Sequence, residues 1–220
     1  MSVVVVLPVK RFEIAKRRLG DGGLRSSDRV ALATGMLTDV LETLKPASNV
    51  DDVVVVTGEP NAEVLARTYG AQVVADSPAD GHNEAAQRGI EWAVGEGAFH
   101  VLLLAGDAPA VQAAEIDELV RMLSDGPEVL IVPDRHGTGT NALLLTPPDV
   151  IGPSFGDGSR ARHERLAQEA GATVRVAEIP SLMLDVDTPE DLDALAEALA
   201  DQPRATAVYT RDALSRVRRG

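Results

Sequence analysis

The fold of this chain is constrained most by a series of short apolar runs that alternate with stretches of helical periodicity. Runs rich in β-branched residues are typical of strands, and runs that are apolar throughout are typical of strands covered on both faces. We therefore predict strands over residues 2–9, 53–57, 71–75, 100–105 and 128–133. Because helical patterns separate these runs, the order of elements indicates an α/β fold with a parallel sheet.

The intervening segments place apolar residues at the spacing of one helical face. This pattern predicts helices over residues 28–44, 61–69, 83–94 and 113–123. The later part of the chain is less regular, with strands predicted over residues 141–146 and 173–178 and a helix over residues 160–170. A further helix should begin after Thr188, since Thr188, Pro189 and Asp191 form the pattern of an N-cap, a first-turn proline and a capping box.

The chain has 220 residues, of which 45% are hydrophobic, and this suits one compact domain with a sizeable core. We place that domain at residues 1–203. Residues 204–220 are predicted to form a basic C-terminal tail, with solvated arginines at positions 211, 216, 218 and 219. Alternatively, this tail covers a bound nucleotide.

Composition excludes several classes of site and of partner. The absence of cysteine excludes disulfides, thiolate zinc sites and a cysteine nucleophile. A net charge of −13 argues against general affinity for nucleic acid or for anionic membranes. The apolar run over residues 3–7 is too short for a signal peptide or a membrane span, so we expect a cytoplasmic protein.

The common phosphate-binding loops are missing from the sequence. The first predicted strand is followed by Lys10-Arg11-Phe12-Glu13, with no glycine to let the backbone approach a pyrophosphate. No Gly-x-x-x-x-Gly-Lys segment occurs either. What remains is an early basic segment whose charge suits a triphosphate, comprising Lys10, Arg11, Lys16, Arg17 and Arg18.

Asp107 follows a strongly apolar predicted strand, at the end where open α/β sheets bind ligands, so it is a candidate metal ligand. An isolated aspartate at this place could equally cap the following turn. Asp185 and Asp187 form a second acidic site, because an extended strand would put both carboxylates on one face, roughly 7 Å apart. Asp187 could instead serve the start of the next helix. Magnesium usually takes one or two carboxylates together with phosphate oxygens, so Asp107 with Asp185 would suffice.

Two turn-rich loops are candidates for binding a phosphorylated substrate. Residues 136–141, His-Gly-Thr-Gly-Thr-Asn, could place backbone N–H groups and Thr140 against a phosphate. Gly156 and Ser159 lead into a predicted helix, and helix N-termini bind anions. Arg160 in its first turn opposes the helix dipole, a penalty that a bound phosphate would reverse. The structural alternatives to phosphate binding are that the first loop only forms tight turns and that Ser159 only caps the helix. His163, nearby in the sequence, is a further candidate for this phosphate site.

Taken together, these segments resemble the phosphoenolpyruvate and 2-phospho-L-lactate guanylyltransferases of deazaflavin coenzyme (factor 420) biosynthesis. The resemblance extends almost from end to end, and the combination of motifs is specific although no single motif is. It is carried by residues 7–10, 15–19, 106–109, 134–141, 155–156, 159–163 and 184–189. One departure is Ala108, where the family usually has leucine.

The resemblance implies a three-layer, nucleotide-diphospho-sugar transferase-like (Rossmann-like) fold with a mostly parallel central sheet. It implies that Mg²⁺ is held by Asp107 and Asp185, with Asp187 as a further candidate. The residues implied to face the GTP phosphates are Lys10, Lys16 and Arg17, and Asn83 is implied to lie near the nucleoside. The residues implied to orient the phosphorylated acid are Thr140, Gly156, Ser159 and Arg160.

The implied reaction is attack by the phosphate of the acid on the α-phosphorus of GTP, with release of pyrophosphate. An ionised phosphate is already a nucleophile at neutral pH, so this chemistry requires no general base. We expect phosphoenolpyruvate as the acceptor, with 2-phospho-L-lactate and 3-phosphoglycerate as alternatives. A sugar-phosphate nucleotidyltransferase and a non-catalytic nucleotide-binding module are more distant alternatives. Proteins of this fold often pair as homodimers.

Overall fold

The computed structural model of the chain describes residues 2–12, 16–21, 23–77 and 81–217. Within them, seven strands form one sheet in the order β3-β2-β1-β4-β6-β5-β7. The strands are β1 (Val3–Val9), β2 (Asp52–Thr57), β3 (Gln72–Ala75), β4 (His100–Leu104), β5 (Glu128–Pro133), β6 (Thr140–Thr146) and β7 (Thr173–Val176). β6 is antiparallel to both of its neighbours and the other pairs are parallel, so the predicted α/β fold with a mostly parallel sheet is confirmed.

The direction of β6 follows from its connection to β5. Residues 134–139 join the two strands directly, and a link this short can only reverse the chain, because a parallel pair needs a crossover of a dozen residues or more. The apolar pattern of β6 is the same as that of a parallel strand, since both of its faces are buried. The reversal therefore depends on the loop length and not on strand composition.

Helices cover both faces of the sheet. They are α1 (Arg17–Asp21), α2 (Ser26–Leu44), α3 (Pro60–Thr68), α4 (His82–Gly95), α5 (Ala113–Arg121), α6 (Ser159–Glu169), α7 (Pro189–Ala200) and α8 (Val208–Val217). Alternate residues of β1 point to opposite sides: Val5 and Leu7 pack in the core under α2, α3 and α5, whereas Val4 and Val6 pack in the core under α4 and α6. Ala108, at the position where the family usually has leucine, is fully buried in the first of these cores.

Residues 184–187 correct one prediction. They were expected to form a strand, but in the described structure they lie outside the sheet. The predicted alternation is present nonetheless, because Leu184 and Val186 are buried in a third apolar cluster while Asp185 and Asp187 line a pocket. The segment is held by its apolar side chains rather than by strand pairing. The next helix begins as predicted, with Thr188 as N-cap and Asp191 completing a capping box.

The end of the chain packs against α2. A Cβ at Gly35 would lie 3.0 Å from the carbonyl oxygen of Tyr209, so this glycine permits a close approach of α2 and α8. The carboxylate of Asp39 accepts hydrogen bonds from the backbone N–H groups of Tyr209, at 3.1 Å, and of Thr210, at 2.7 Å. The start of α8 is therefore fixed to the middle of α2.

The predicted solvation of the C-terminal arginines is wrong for Arg211. Its guanidinium donates hydrogen bonds to the carbonyl oxygens of Thr206, at 2.8 Å, and of Leu199 in the last turn of α7. Carbonyl groups at a helix end have no partner within the helix, and Arg211 satisfies one of them. Arg216 is exposed as expected, whereas Arg218 and Arg219 lie outside the described residues. The domain division at residue 203 stays a prediction.

No helix in the described part of the chain combines the length and the apolar character needed to cross a membrane.

Candidate active site

A pocket of about 850 Å³ opens at the edge of the sheet where β1 and β4 end. Because β1 and β4 are parallel neighbours, the residues that follow them, Lys10 and Asp107, arrive at the same edge. β6 is antiparallel to β4, so its first residue, Thr140, lies beside the end of β4. Strand direction therefore brings three of the predicted site residues into one pocket, whose volume suits a nucleotide-sized ligand.

Lys16 lies between two carboxylates of this pocket. Its ammonium group donates hydrogen bonds to Asp107 and, at 3.0 Å, to Asp187. Burial opposes the charge of Lys16, but the two carboxylates outweigh burial and raise its pKa above the ordinary value. Lys16 is therefore a cation that neutralises part of the acidic cluster. Its predicted contact with the triphosphate stays a prediction.

Asp185 is held by Asn141. The side-chain amide of Asn141 donates to Asp185 Oδ1 at 3.1 Å and to the carbonyl oxygen of Leu182 at 3.0 Å. Burial, followed by the nearby charge of Asp107, raises the pKa of Asp185 to about 6. Burial and the neighbouring charge of Asp107 both disfavour the ionised form of Asp185, and a bound cation would stabilise that form.

Asp187 was weighed as a helix-capping residue, and the structure gives that role to Asp191. The carboxylate of Asp191 accepts from the backbone N–H groups of Asp187, at 3.1 Å, and of Thr188, at 2.8 Å. Arg135 forms an ion pair with the same carboxylate at 2.7 Å. With the helix start capped by Asp191, the described partner of the Asp187 carboxylate is Lys16.

Three side chains hold the loop over residues 154–158. Asn83 Oδ1 accepts from the N–H of Phe155 at 2.7 Å, and His163 Nε2 accepts from the N–H of Ser154 at 2.9 Å. Arg162 donates to the carbonyl oxygens of Ser154, at 3.0 Å, and of Phe155, at 3.2 Å. Gly156 turns the loop with a φ of 108°, a conformation that favours glycine. The loop is therefore held by contacts with groups of the protein itself.

The loop over residues 134–140 is joined to the start of α6. Asp134 accepts from the N–H of Thr138 at 2.9 Å, and the N–H of Arg160 donates to the carbonyl oxygen of Thr138 at 3.1 Å. The Arg160 guanidinium pairs with Glu164 at 2.9 Å and donates to the carbonyl oxygen of Gly137 at 3.3 Å. Arg160 thus joins the loop over residues 134–140 to α6, and its charge already has a partner.

Most of the predicted site residues line the pocket together: Lys10, Lys16, Asp107, Thr140, Gly156, Ser159, Asp185 and Asp187. Arg160 and Asn83 do not belong to the described lining, and the contacts of Asn83 are with Phe155. The side chain of Arg17 lies outside the described part of the structure. The proposed contacts of these three residues with substrates stay predictions.

The pocket residues that the sequence analysis did not assign to the site include His82, Asn141 and Asp191. Asn141 closes the Gly-Thr-Gly-Thr-Asn segment, so its position in that motif was a usable signal. Asp191 was recognised only as a capping residue. His82 packs edge-on against Phe155, with ring centroids 5.1 Å apart, and no sequence spacing indicated that contact.

The carboxylates of the pocket can be assessed as ligands for a metal ion. In the described residues, no group of three or more His, Asp or Glu side chains is arranged to hold a metal ion on its own. Asp107 and Asp185 nevertheless line the same pocket and interact electrostatically. Magnesium prefers oxygen ligands and commonly binds one or two carboxylates with the remainder supplied by phosphates and water. The residues therefore fit a magnesium ion whose coordination is completed by a phosphorylated substrate.

Solved structures with this architecture are nucleotidyltransferases and related proteins. A protein from Desulfovibrio desulfuricans described as a nucleotide-diphospho-sugar transferase aligns over 100% of this chain and 98% of its own, with a TM-score of 0.76 and 19% identity. A nucleotidyl transferase from Methanothermobacter aligns over 91% of this chain and 99% of its own, with a TM-score of 0.67 and 20% identity. At this identity the likeness establishes the fold.

Curated relatives are closer in sequence. Phosphoenolpyruvate guanylyltransferase of Conexibacter woesei is 50% identical over 221 residues, covering 100% of this chain and 98% of the relative. The 3-phospho-D-glycerate guanylyltransferase of Colwellia psychrerythraea is 34% identical over 196 residues, covering 89% of this chain and 92% of the relative. The model of the family described as "Guanylyl transferase CofC like" matches residues 3–208, and so the chain belongs to the CofC-like guanylyl transferases and is a nucleotidyltransferase.

Proposed function

We propose that this protein transfers GMP from GTP to phosphoenolpyruvate, giving enolpyruvyl-2-diphospho-5'-guanosine and pyrophosphate, in biosynthesis of the deazaflavin coenzyme factor 420. The observation that carries the proposal is a single pocket with carboxylates on one wall and two preformed loops on the other. The loop residues Thr140, Gly156 and Ser159 offer uncharged hydrogen-bond donors suited to a phosphorylated acid. The 50% identical relative named for this reaction supports the choice of acceptor.

In the proposed reaction a phosphate oxygen of the acid forms a bond to the α-phosphorus of GTP. The bond from that phosphorus to the bridging oxygen breaks, and the electron pair leaves with pyrophosphate. Both reacting groups are anionic, so binding them together requires that charge be neutralised. The phosphate nucleophile needs no deprotonation by the protein, which agrees with a pocket whose residues provide charge and position.

We assign the neutralisation of charge to residues on the acidic wall of the pocket. Asp107 and Asp185 would hold Mg²⁺, which supplies charge neutralisation at the transferring phosphoryl group. Lys10, exposed at the end of β1, lines the same pocket and would meet the triphosphate. Lys16 would offset the repulsion between the carboxylates, because its ammonium group pairs with Asp107 and Asp187.

The acceptor is tested by offering phosphoenolpyruvate, 2-phospho-L-lactate and 3-phosphoglycerate side by side with GTP and Mg²⁺. We expect product of the mass of enolpyruvyl-2-diphospho-5'-guanosine and faster turnover of phosphoenolpyruvate than of the other two acids. A preference for 3-phosphoglycerate would favour the second candidate, which the relative from Colwellia psychrerythraea supports. Pyrophosphate release with each of the four nucleotides tests the preference for guanine. No release with any nucleotide and acid would indicate a binding module instead of an enzyme.

A further inference from the structure

His163 is fully buried on α6 and contacts two segments on the acceptor side of the pocket. Its Nε2 lies 2.9 Å from the backbone nitrogen of Ser154, in the loop over residues 154–158. Its Nδ1 lies 3.0 Å from the hydroxyl oxygen of Thr140, at the start of β6. One imidazole ring therefore joins two segments that line the pocket.

The contact with Ser154 decides which ring nitrogen carries the proton. A backbone N–H can only donate, so Nε2 must present its lone pair to it. A neutral imidazole has one N–H, and that N–H is then on Nδ1, facing Thr140. Nδ1–H accordingly donates to the hydroxyl oxygen of Thr140.

The direction of this hydrogen bond determines what Thr140 has left to offer. A hydroxyl carries one hydrogen and two lone pairs, and the bond from His163 occupies a lone pair. The hydroxyl hydrogen of Thr140 is thereby left to donate elsewhere. Thr140 lines the pocket, so an anionic oxygen bound there is a suitable acceptor.

The surroundings keep the ring neutral. Burial, together with the charge of Arg162, lowers the pKa of His163 to about 4. The ring edge of Phe155 packs against the imidazole with centroids 5.2 Å apart and limits its rotation. A protonated ring would direct an N–H at the N–H of Ser154, so the neutral form is the one that fits both partners.

We propose that His163 is a positioning residue that holds the Thr140 hydroxyl as a hydrogen-bond donor to a phosphate or carboxylate oxygen of the acceptor acid. The inference rests on the proposed function, since it assigns the acceptor to this wall of the pocket. His163 does not touch the acid itself. It acts through Thr140 and also anchors the loop that begins at Ser154.

The tautomer can be measured directly in the unmodified protein by nitrogen NMR of ¹⁵N-labelled histidine. At pH 7 we expect His163 to show a protonated Nδ1 and an unprotonated Nε2. A proton on Nε2, or on both nitrogens, would overturn the proposal. This measurement uses the unmodified protein, so it requires no variant to fold and does not depend on which acid is the substrate.

The functional link is tested by a double-mutant cycle of Thr140→Val and His163→Gln, assayed with GTP, Mg²⁺ and phosphoenolpyruvate. Glutamine can still accept from Ser154 but lacks the ring's fixed donor to Thr140. We expect each single change to lower kcat/KM for the acid roughly ten- to a hundredfold, with KM for GTP little changed. The double variant should be no worse than Thr140→Val alone, because both changes remove the same donor.

Multiplying effects in the double variant would mean that His163 acts independently of Thr140, and would overturn the proposal. Arg165→Gln, at an exposed ion pair on the same helix as His163, is the matched control and should leave activity unchanged. Thr140→Ser keeps the hydroxyl and should recover most of the activity that Thr140→Val loses. Thermal unfolding of each variant identifies any that fail to fold, and the tautomer measurement then decides. If the unmodified protein turns over none of the three acids, the proposed function fails while the tautomer result still stands.

Discussion

The two walls of the pocket use charge differently. On the acidic wall, formed by Asp107, Asp185 and Asp187, carboxylates line the cavity and Lys16 pairs with two of them. On the acceptor wall, formed by residues 134–140 and 154–159, the charged side chains hold the loops themselves. Arg162 bonds to carbonyl oxygens of its own loop, and Arg160 pairs with Glu164.

This difference separates residues that serve a ligand from residues that serve the fold. On the acidic wall, burial and then the charge of Asp107 raise the pKa of Asp185, and a shifted pKa of this kind is typical of functional sites. The acceptor wall brings Thr140, Gly156 and Ser159 to the cavity, and these uncharged residues would suit an anion bound by dipoles. Arg160 and Arg162 are engaged by groups of the protein itself, so a cluster of basic residues in the sequence does not by itself identify a phosphate contact.

The largest effect should come from the acidic wall. We expect Asp107→Asn to lower turnover by at least about a thousandfold, because neutralising a metal ligand removes charge stabilisation at the reacting phosphorus. The unfolding temperature should change little, since the amide keeps the shape of the side chain. Asp212→Asn, at an exposed ion pair on α8, is the matched control and should leave turnover unchanged. Near-normal activity of Asp107→Asn would remove Asp107 from the metal site.

The second prediction concerns the acceptor wall, where acid should lower the stability of the folded protein. The folded-state pKa of His163 is about 4, below its ordinary value of 6.5, so between these pH values the unfolded chain binds more protons than the folded protein. Stability should therefore fall as the pH decreases from 6.5 to 4, by about 3 kcal/mol from this residue. Urea unfolding at several pH values measures the loss. His163→Gln should flatten the curve in this window, and an unchanged slope would contradict the assignment.

A smaller effect is expected from removing the arginine that builds the acceptor loop. Arg162→Met keeps the aliphatic part of the side chain but loses the hydrogen bonds to Ser154 and Phe155. We expect the KM for the acid to rise about tenfold, the scale of one lost hydrogen bond to a charged group, with the KM for GTP nearly constant. Steady-state kinetics with each substrate varied in turn provide the measurement. An equal rise in both constants would show that the loop does not belong to the acceptor alone.

The smallest effect should come from Arg160→Met. Its ion pair with Glu164 is about one-third exposed at each end, and such pairs contribute roughly 0.5 kcal/mol or less. If the Arg160 guanidinium only pairs with Glu164 and bonds to the carbonyl oxygen of Gly137, its loss should change the KM for the acid less than about threefold. A change as large as that of Arg162→Met would instead support the contact with the acid that the sequence predicted.

Much of the sheet was predictable because buried strands appear in the sequence as nearly continuous apolar runs. The predicted bounds of β1, β2 and β5 agree with the structure to within a residue. The segment holding Asp185 was predicted as a strand for the same reason, since Leu184 and Val186 alternate with acidic residues. Alternating burial also occurs in an extended segment outside a sheet, and strand pairing is not encoded in that alternation.

The candidate site was predictable where it follows from strand ends and motifs, as for Asp107 and Thr140. The partners of its side chains were not predictable, because they come from residues far apart in the chain. Lys16 and Asp187 are 171 positions apart, and Asn83 and Phe155 are 72 positions apart. Local patterns carry no information about such pairs.

By itself, the amino-acid sequence determined the α/β class and the family, and it supplied the candidate residues for holding a metal and an acid. Periodicity and residue chemistry are local properties, and they persist whatever the rest of the chain does. Only the tertiary structure decided that Lys16 neutralises the carboxylates, that Asn141 holds Asp185 and that His163 directs Thr140. Each of these depends on a distance of about 3 Å between elements that the fold, and not the neighbouring sequence, brings together.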